Sequence, residues 1–180
     1  MRIISGKYGG RKLHPPAHMP HTRPTTDVAK EGLFNIIENN ISLEGLKTLD
    51  LFGGTGSISY ELASRGAGDL TIIEKDPKMH AFIAKNIAEL GIANCRVTRM
   101  DVFRFLETTQ DRYDFIFAGP PYALQTIDDL PVIVTERGLL ERQGWFVLEH
   151  TPANRYDDQP LFVTSRNYGT TIFSIFINRT

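Results

Sequence analysis

Between residues 46 and 149, short apolar runs alternate with helix-patterned segments, and glycine, proline or an acid closes each run. This alternation limits the fold more than any other feature. Strands separated by helices cannot pair through tight turns, so they line up as a mostly parallel sheet with helices on both faces. The apolar runs lie at 46–52, 70–74, 95–98, 113–117 and 145–149. Residues 57–65 form a helix that Gly66 ends. Asp76 and Pro77 supply an N-cap and a first-turn proline. Met79, Ile83, Ile87 and Leu90 then line one helical face, closed by Gly91. Further helices are expected from Asp101 and over 127–137. The last two runs, 161–166 and 171–177, flank Tyr168-Gly169 with no helix between them, so they form an antiparallel edge hairpin. The predicted fold is α/β: a doubly wound, mostly parallel seven-stranded sheet with that hairpin at its edge.

The first 25 residues read as an N-terminal extension, and residues 26–180 as the main domain. Ile3 and Ile4, a Gly9-Gly10 turn, and Arg11 to Leu13 make a small β-hairpin. Residues 14–25 hold four prolines and run as an extended arm. Thr26 or Asp27 then caps a helix whose apolar face includes Leu33, Ile36 and Ile37. Residues 1–26 contain Arg2, Lys7, Arg11, Lys12 and Arg23 and no acid. The segment carries +5 against a chain total of −1, so the remainder carries −6. Such an arm suits a phosphate backbone, or it solubilises an acidic domain. A single cysteine, Cys95, rules out an internal disulfide and fits a reducing compartment. No apolar run reaches the roughly 20 residues of a membrane span, and the start lacks a signal-peptide segment. A cytoplasmic protein is expected.

Ligands of doubly wound sheets sit beyond the carboxyl ends of the strands, where strand order reverses. Every polar motif falls at such an end. Asp50, Phe52, Gly53, Gly54, Thr55 and Gly56 close the first strand. The turn lets backbone approach a ligand, but it lacks the G-x-G-x-x-G spacing of dinucleotide sites. An acid beside the loop repels a pyrophosphate and suits a cationic ligand, such as a sulfonium bearing an α-amino group. Glu74, with Lys75 after it, ends the second strand, where a carboxylate can accept both hydroxyls of a ribose. Asp101, followed by Val102, can accept from an adenine amino group and cap the next helix. Gly119, Pro120, Pro121 and Tyr122 follow the fourth strand. Pro-Pro removes two backbone donors, and the tyrosine ring offers a stacking surface for an extruded base. A rigid turn with a packed tyrosine explains the same residues. Glu149-His150 is either a proton-handling pair or a strand end without chemistry.

Together these parts resemble the bacterial methyltransferases that make N2-methylguanine in 16S ribosomal RNA at the nucleotide called guanine 966. The likeness covers nearly the whole chain. It rests on the opening residues Met1 to Leu13, on Arg23-Pro24-Thr25 with Glu31 to Asn35, on Asp50 to Gly56, and on Tyr168-Gly169-Thr170. It implies a Rossmann-like class I methyltransferase fold and S-adenosylmethionine as cofactor. It further implies a partner in 16S rRNA or the small-subunit particle. A monomer suits docking on so large a particle, and no metal or membrane is expected, since direct methyl displacement requires no metal and no metal-binding cluster stands in the sequence. On this resemblance Asp50, Phe52, Gly53, Gly54, Thr55, Gly56, Glu74, Lys75, Asp101 and Val102 hold cofactor. Gly119, Pro120, Pro121 and Tyr122 hold the target base, and Arg2, Lys7, Arg11, Lys12 and Arg23 grip RNA. One position departs from the family. An acid or asparagine precedes Pro-Pro-Tyr there, where this chain has Gly119, so an acceptor for the target amine is missing. Weak activity, DNA adenine-N6 methylation, and a non-catalytic assembly factor that binds cofactor and RNA stand as alternatives.

Overall fold

The computed structural model describes residues 1–19 and 24–180, so Arg23 lies outside the described residues. Helix α1 is Asp27–Asn40, followed by β1 (Lys47–Leu51), α2 (Ser57–Ser64), β2 (Asp69–Ile73), α3 (Pro77–Leu90) and β3 (Cys95–Thr98). Then come α4 (Val102–Thr108), β4 (Tyr113–Ala118), α5 (Asp129–Glu136), β5 (Leu140–His150), β6 (Phe162–Tyr168) and β7 (Thr171–Ile177). The seven strands form one sheet in the order β3-β2-β1-β4-β5-β7-β6. The first five are parallel; β7 pairs antiparallel with both β5 and β6.

Local signals set most of these boundaries. Thr26 caps α1 by accepting the Ala29 N–H, and Asp76 caps α3 by accepting from Met79. Gly91 ends α3 in the left-handed region at φ 72°. Strand β5 begins five residues before the predicted run. Its first part breaks register between Leu140 and Trp145 and puts Gln143 at φ 63°, which apolar patterning does not signal.

Both faces of the sheet are covered. Helices α1, α2 and α3 pack on one side. Leu33, Phe34, Ile58 and Leu62 meet Leu70, Phe115 and Phe117 there, and Ile83 and Ile87 meet Ile72. Helices α4 and α5 cover the other side through Val102, Leu106, Leu130 and Val134 against Leu49, Leu51, Ile116 and Leu148. Burying each large aliphatic side chain stabilises the fold by roughly 1.5–3 kcal/mol.

The N-terminal segment closes on itself through an Arg2–Lys12 bridge, with the Ile3 N–H on the Arg11 carbonyl and the Gly10 N–H on the Ile3 carbonyl. Ile3 and Leu13 pack with Tyr60 and Ile83. A buried ion pair ties this segment down. Lys30 stands on the inner face of α1, where helical patterning leads one to expect an apolar residue. Its Nζ lies 3.2 Å from Glu61 and donates to the Arg2 carbonyl at 2.7 Å and to Ser57 Oγ at 3.1 Å. Glu61 also accepts the Ile4 and Ser5 N–H groups at 2.9 and 3.1 Å and the Arg65 Nε at 2.8 Å. Burial alone raises a carboxyl pKa. Here the Ile4 N–H, Arg65, Lys30 and the Ser5 N–H outweigh it and hold Glu61 below its ordinary value. The stabilisation is therefore present at neutral pH and is lost as pH falls through the acidic carboxylate range. Glu61→Ala strands the Lys30 charge and frees two backbone donors. It should cost about 3–5 kcal/mol in urea unfolding and speed amide exchange at Ile4 and Ser5.

Candidate active site

Strand order reverses at β1, which has β2 on one side and β4 on the other. The loops after these strands diverge there and leave a cleft of 560 Å³, a size suited to a nucleoside-sized ligand. Asp50 lies at the floor, 2% exposed, near the end of β1. Phe52 takes φ 62° and swings the chain out of the strand. Gly53 follows under Ile72; a Cβ there would lie 2.5 Å from Ile72 Cγ2, so any side chain would force Ile72 to shift.

Glu74 joins two of the loops. One oxygen accepts the Gly54 N–H and the other the Asp76 N–H, both at 2.8 Å. Each oxygen keeps lone-pair capacity for a further donor. Asp101 caps α4 through the Arg104 N–H at 3.1 Å while facing the cleft. Asp50 accepts from Ser59 Oγ at 2.7 Å. Burial pushes its carboxyl up to about 7; the Ser59 bond pulls it back and the nearby Glu74 charge pushes it further up. A buried carboxyl poised near neutrality at the floor of a cleft is a candidate functional group.

The structure gathers thirteen of the fourteen expected cofactor and base residues around this one cavity. They are Asp50, Phe52, Gly53, Gly54, Thr55, Glu74, Lys75, Asp101, Val102, Gly119, Pro120, Pro121 and Tyr122. Gly56 does not line it. Its φ of 83° opens α2 as the N-cap, with Tyr60 packed where a Cβ would go. Arg2, Lys7, Arg11 and Lys12 are exposed on the N-terminal segment, away from the cleft lining. Arg2 pairs with Asp27 at 3.0 Å.

Thr25 and Glu149, which sequence reasoning did not assign to the site, complete the far wall. The Pro121 carbonyl accepts the Leu124 N–H and closes a turn after the Pro-Pro step. The Tyr122 hydroxyl donates to Glu149 at 3.0 Å and lies 3.3 Å from Thr171 Oγ1. Thr25, at the end of the N-terminal arm, donates to the other Glu149 oxygen at 2.6 Å. An acid at the end of β5 was the available signal, since acids also close β1 and β2. His150 turns away from Glu149. Its ring contacts the Thr151 carbonyl at 2.8 Å and Ser174 Oγ at 2.7 Å, and burial lowers its pKa. The two are not a proton-handling pair.

Sheet order, cleft and strand-end acids define the fold of class I S-adenosylmethionine-dependent methyltransferases. Residues 1–177 match the family described as conserved hypothetical protein 95, and the chain belongs to that family. The chain is 34% identical over 149 residues to ribosomal RNA small subunit methyltransferase D of Escherichia coli K12, covering 83% of this chain and 71% of that one. It is 30% identical over 172 residues to the protein of that name from Haemophilus influenzae, covering 93% and 84%. The solved E. coli protein yhhF superposes with a TM-score of 0.86 at 26% identity, covering 100% of this chain and 98% of that chain.

The Ser59 bond to Asp50 gives a direct check. Ser59→Ala removes the contact that favours the ionised carboxylate, so Asp50 should titrate above about 7 when followed by carbon-detected NMR.

Proposed function

We propose that this protein transfers a methyl group from S-adenosylmethionine to the exocyclic N2 of a guanine in 16S ribosomal RNA, guanine 966. The observation that carries the reading is the meeting of strand-end acids and the Pro-Pro-Tyr turn in one cleft of a chain whose relatives are named ribosomal RNA methyltransferases. The choice of guanine N2 and of position 966 rests on the resemblance of the opening residues and of Arg23-Pro24-Thr25.

The cleft's donors and acceptors fit a nucleoside bearing an amino acid. Asp50 faces the cationic methionine end, and the Gly53–Gly54 backbone lies beside it. Glu74 accepts from the ribose hydroxyls with the lone pairs that the Gly54 and Asp76 N–H groups leave over. Asp101 accepts from the adenine amino group, and Val102 packs against the ring. When bound, the sulfonium supplies a methyl group already activated for displacement. The chain's task is then to place a nitrogen lone pair in line with it and to exclude water. Pro120, Pro121 and Tyr122 hold the extruded base, with the Tyr122 ring fixed through its hydroxyl on Glu149.

Residues 1–25 form the RNA-gripping hairpin and arm, and residues 26–180 the catalytic body. Arg2, Lys7, Arg11, Lys12 and Arg23 contact phosphates, which orient the particle without reading its sequence. The protein acts as a monomer in the cytoplasm, where small-subunit particles assemble.

Two outcomes test this reading. Incubation of undermethylated small-subunit particles with methyl-labelled cofactor should yield labelled N2-methylguanosine on nucleoside analysis. Label in N6-methyladenosine, or none, contradicts the reading. Glu74→Gln replaces one acceptor oxygen by a donor facing the ribose. It should weaken cofactor binding by about 10- to 100-fold in calorimetry, with methyl transfer recovering at saturating cofactor.

A further inference from the structure

We propose that Glu149 supplies the acceptor for the target amine that Gly119 cannot supply. The inference rests on the methyltransferase reading above and names a catalytic residue for it. The sheet register places the two positions together. Strands β4 and β5 run parallel with Phe117 opposite Val147 and Ala118 opposite Leu148. Continuing the register by one residue sets Gly119 opposite Glu149. Residues opposite one another on neighbouring strands project to the same face, about 4.8 Å apart. A side chain at 119 and the Glu149 side chain therefore compete for the same wall of the cleft.

The distances agree. A Cβ placed on Gly119 lies 3.0 Å from the Phe117 ring and 4.0 Å from a Glu149 carboxylate oxygen. Glu149 is 4% exposed and lines the cleft beside Pro120 and Tyr122. Thr25 Oγ1 donates to one of its oxygens and the Tyr122 hydroxyl to the other. Each oxygen can accept more than one hydrogen bond. An acid delivered from β5 thus reaches the region that an acid at 119 would reach from β4. A longer side chain from the next strand takes over where glycine has none.

The step balances within the proposed reaction. The N2 lone pair forms the new N–C bond as the C–S bond breaks, and the bonding pair moves to sulfur, leaving a neutral thioether. The amine gains positive charge as it reacts and loses one proton. Glu149 accepts a hydrogen bond from the amine, stabilises that charge, and takes the proton before passing it to solvent. The arrangement also bears on an aspartate introduced at 119 in this chain. It would set a second carboxylate against Glu149, where the two charges repel and one is driven toward protonation.

The test is single-turnover methyl transfer to undermethylated small-subunit particles, with cofactor affinity measured beside it. Glu149→Gln keeps the shape and an acceptor for Thr25. It should lower the rate by about a hundredfold or more while cofactor affinity stays within threefold. The double variant Gly119→Asp/Glu149→Gln should regain at least tenfold over Glu149→Gln, because the acceptor returns from β4. Tyr122→Phe, which keeps the ring but removes the hydroxyl, should lose less than Glu149→Gln. Three results overturn the inference: Glu149→Gln at the unsubstituted rate, no gain in the double variant, or a Tyr122→Phe loss equal to that of Glu149→Gln. If the unsubstituted chain itself transfers no methyl, the parent reading falls too. If it is active and insensitive to Glu149→Gln, only this inference falls.

Discussion

Parallel pairing of β1 with both β2 and β4 is the constraint on which the cleft depends. Strand β1 leads by way of α2 toward one edge of the sheet, and β4 leads by way of α5 toward the other. Glu74 then shapes the opening. Its two bonds, to the N–H groups of Gly54 and Asp76, hold the loop after β1 against the loop after β2. Gly53 permits that approach because a side chain would meet Ile72. The packing of aliphatic side chains on both faces fixes the sheet, and a few charge-assisted hydrogen bonds fix its rim.

The two buried acids act in opposite ways. Glu61 is fully buried and fully used: cations and backbone donors surround it, and it anchors the N-terminal segment to α2. Asp50 is almost as buried, and that burial, only partly offset by the Ser59 bond, pushes its carboxyl up to about 7. Its folded-state pKa lies above that of the unfolded chain. Its contribution to stability is therefore present in acid and lost as pH rises toward about 7. Such an acid at the floor of a cleft weakens the fold at neutral pH, and the proposed cationic ligand would offset that cost by favouring the ionised form.

Much of this was legible in the sequence because the signals were local. Alternating apolar runs identified seven strands and their approximate ends, and Asp76-Pro77 and Gly91 bracketed α3. The acids closing β1 and β2, and Asp101 after β3, met at one cavity because parallel strands all present their carboxyl ends to the same rim. What stayed hidden depended on contacts distant along the chain. Lys30 interrupts an apolar face because Glu61 lies across from it, 31 positions later. Glu149 joins the site because β5 pairs beside β4 in one particular register. Thr25 reaches it across 124 positions. The irregular start of β5 depends on Gln143 at positive φ, which side-chain patterning does not encode.

The proposed function requires that the cleft at the β1 switch hold a cationic nucleoside against the Asp50 carboxylate. Calorimetric titration with S-adenosylmethionine at pH 6.0, in two buffers of different ionisation enthalpy, measures both affinity and protons exchanged. One molecule should bind per chain with release of most of one proton, because the ligand would ionise a carboxyl that burial pushes up to about 7. Absence of heat in both buffers, or binding with no proton released, contradicts it.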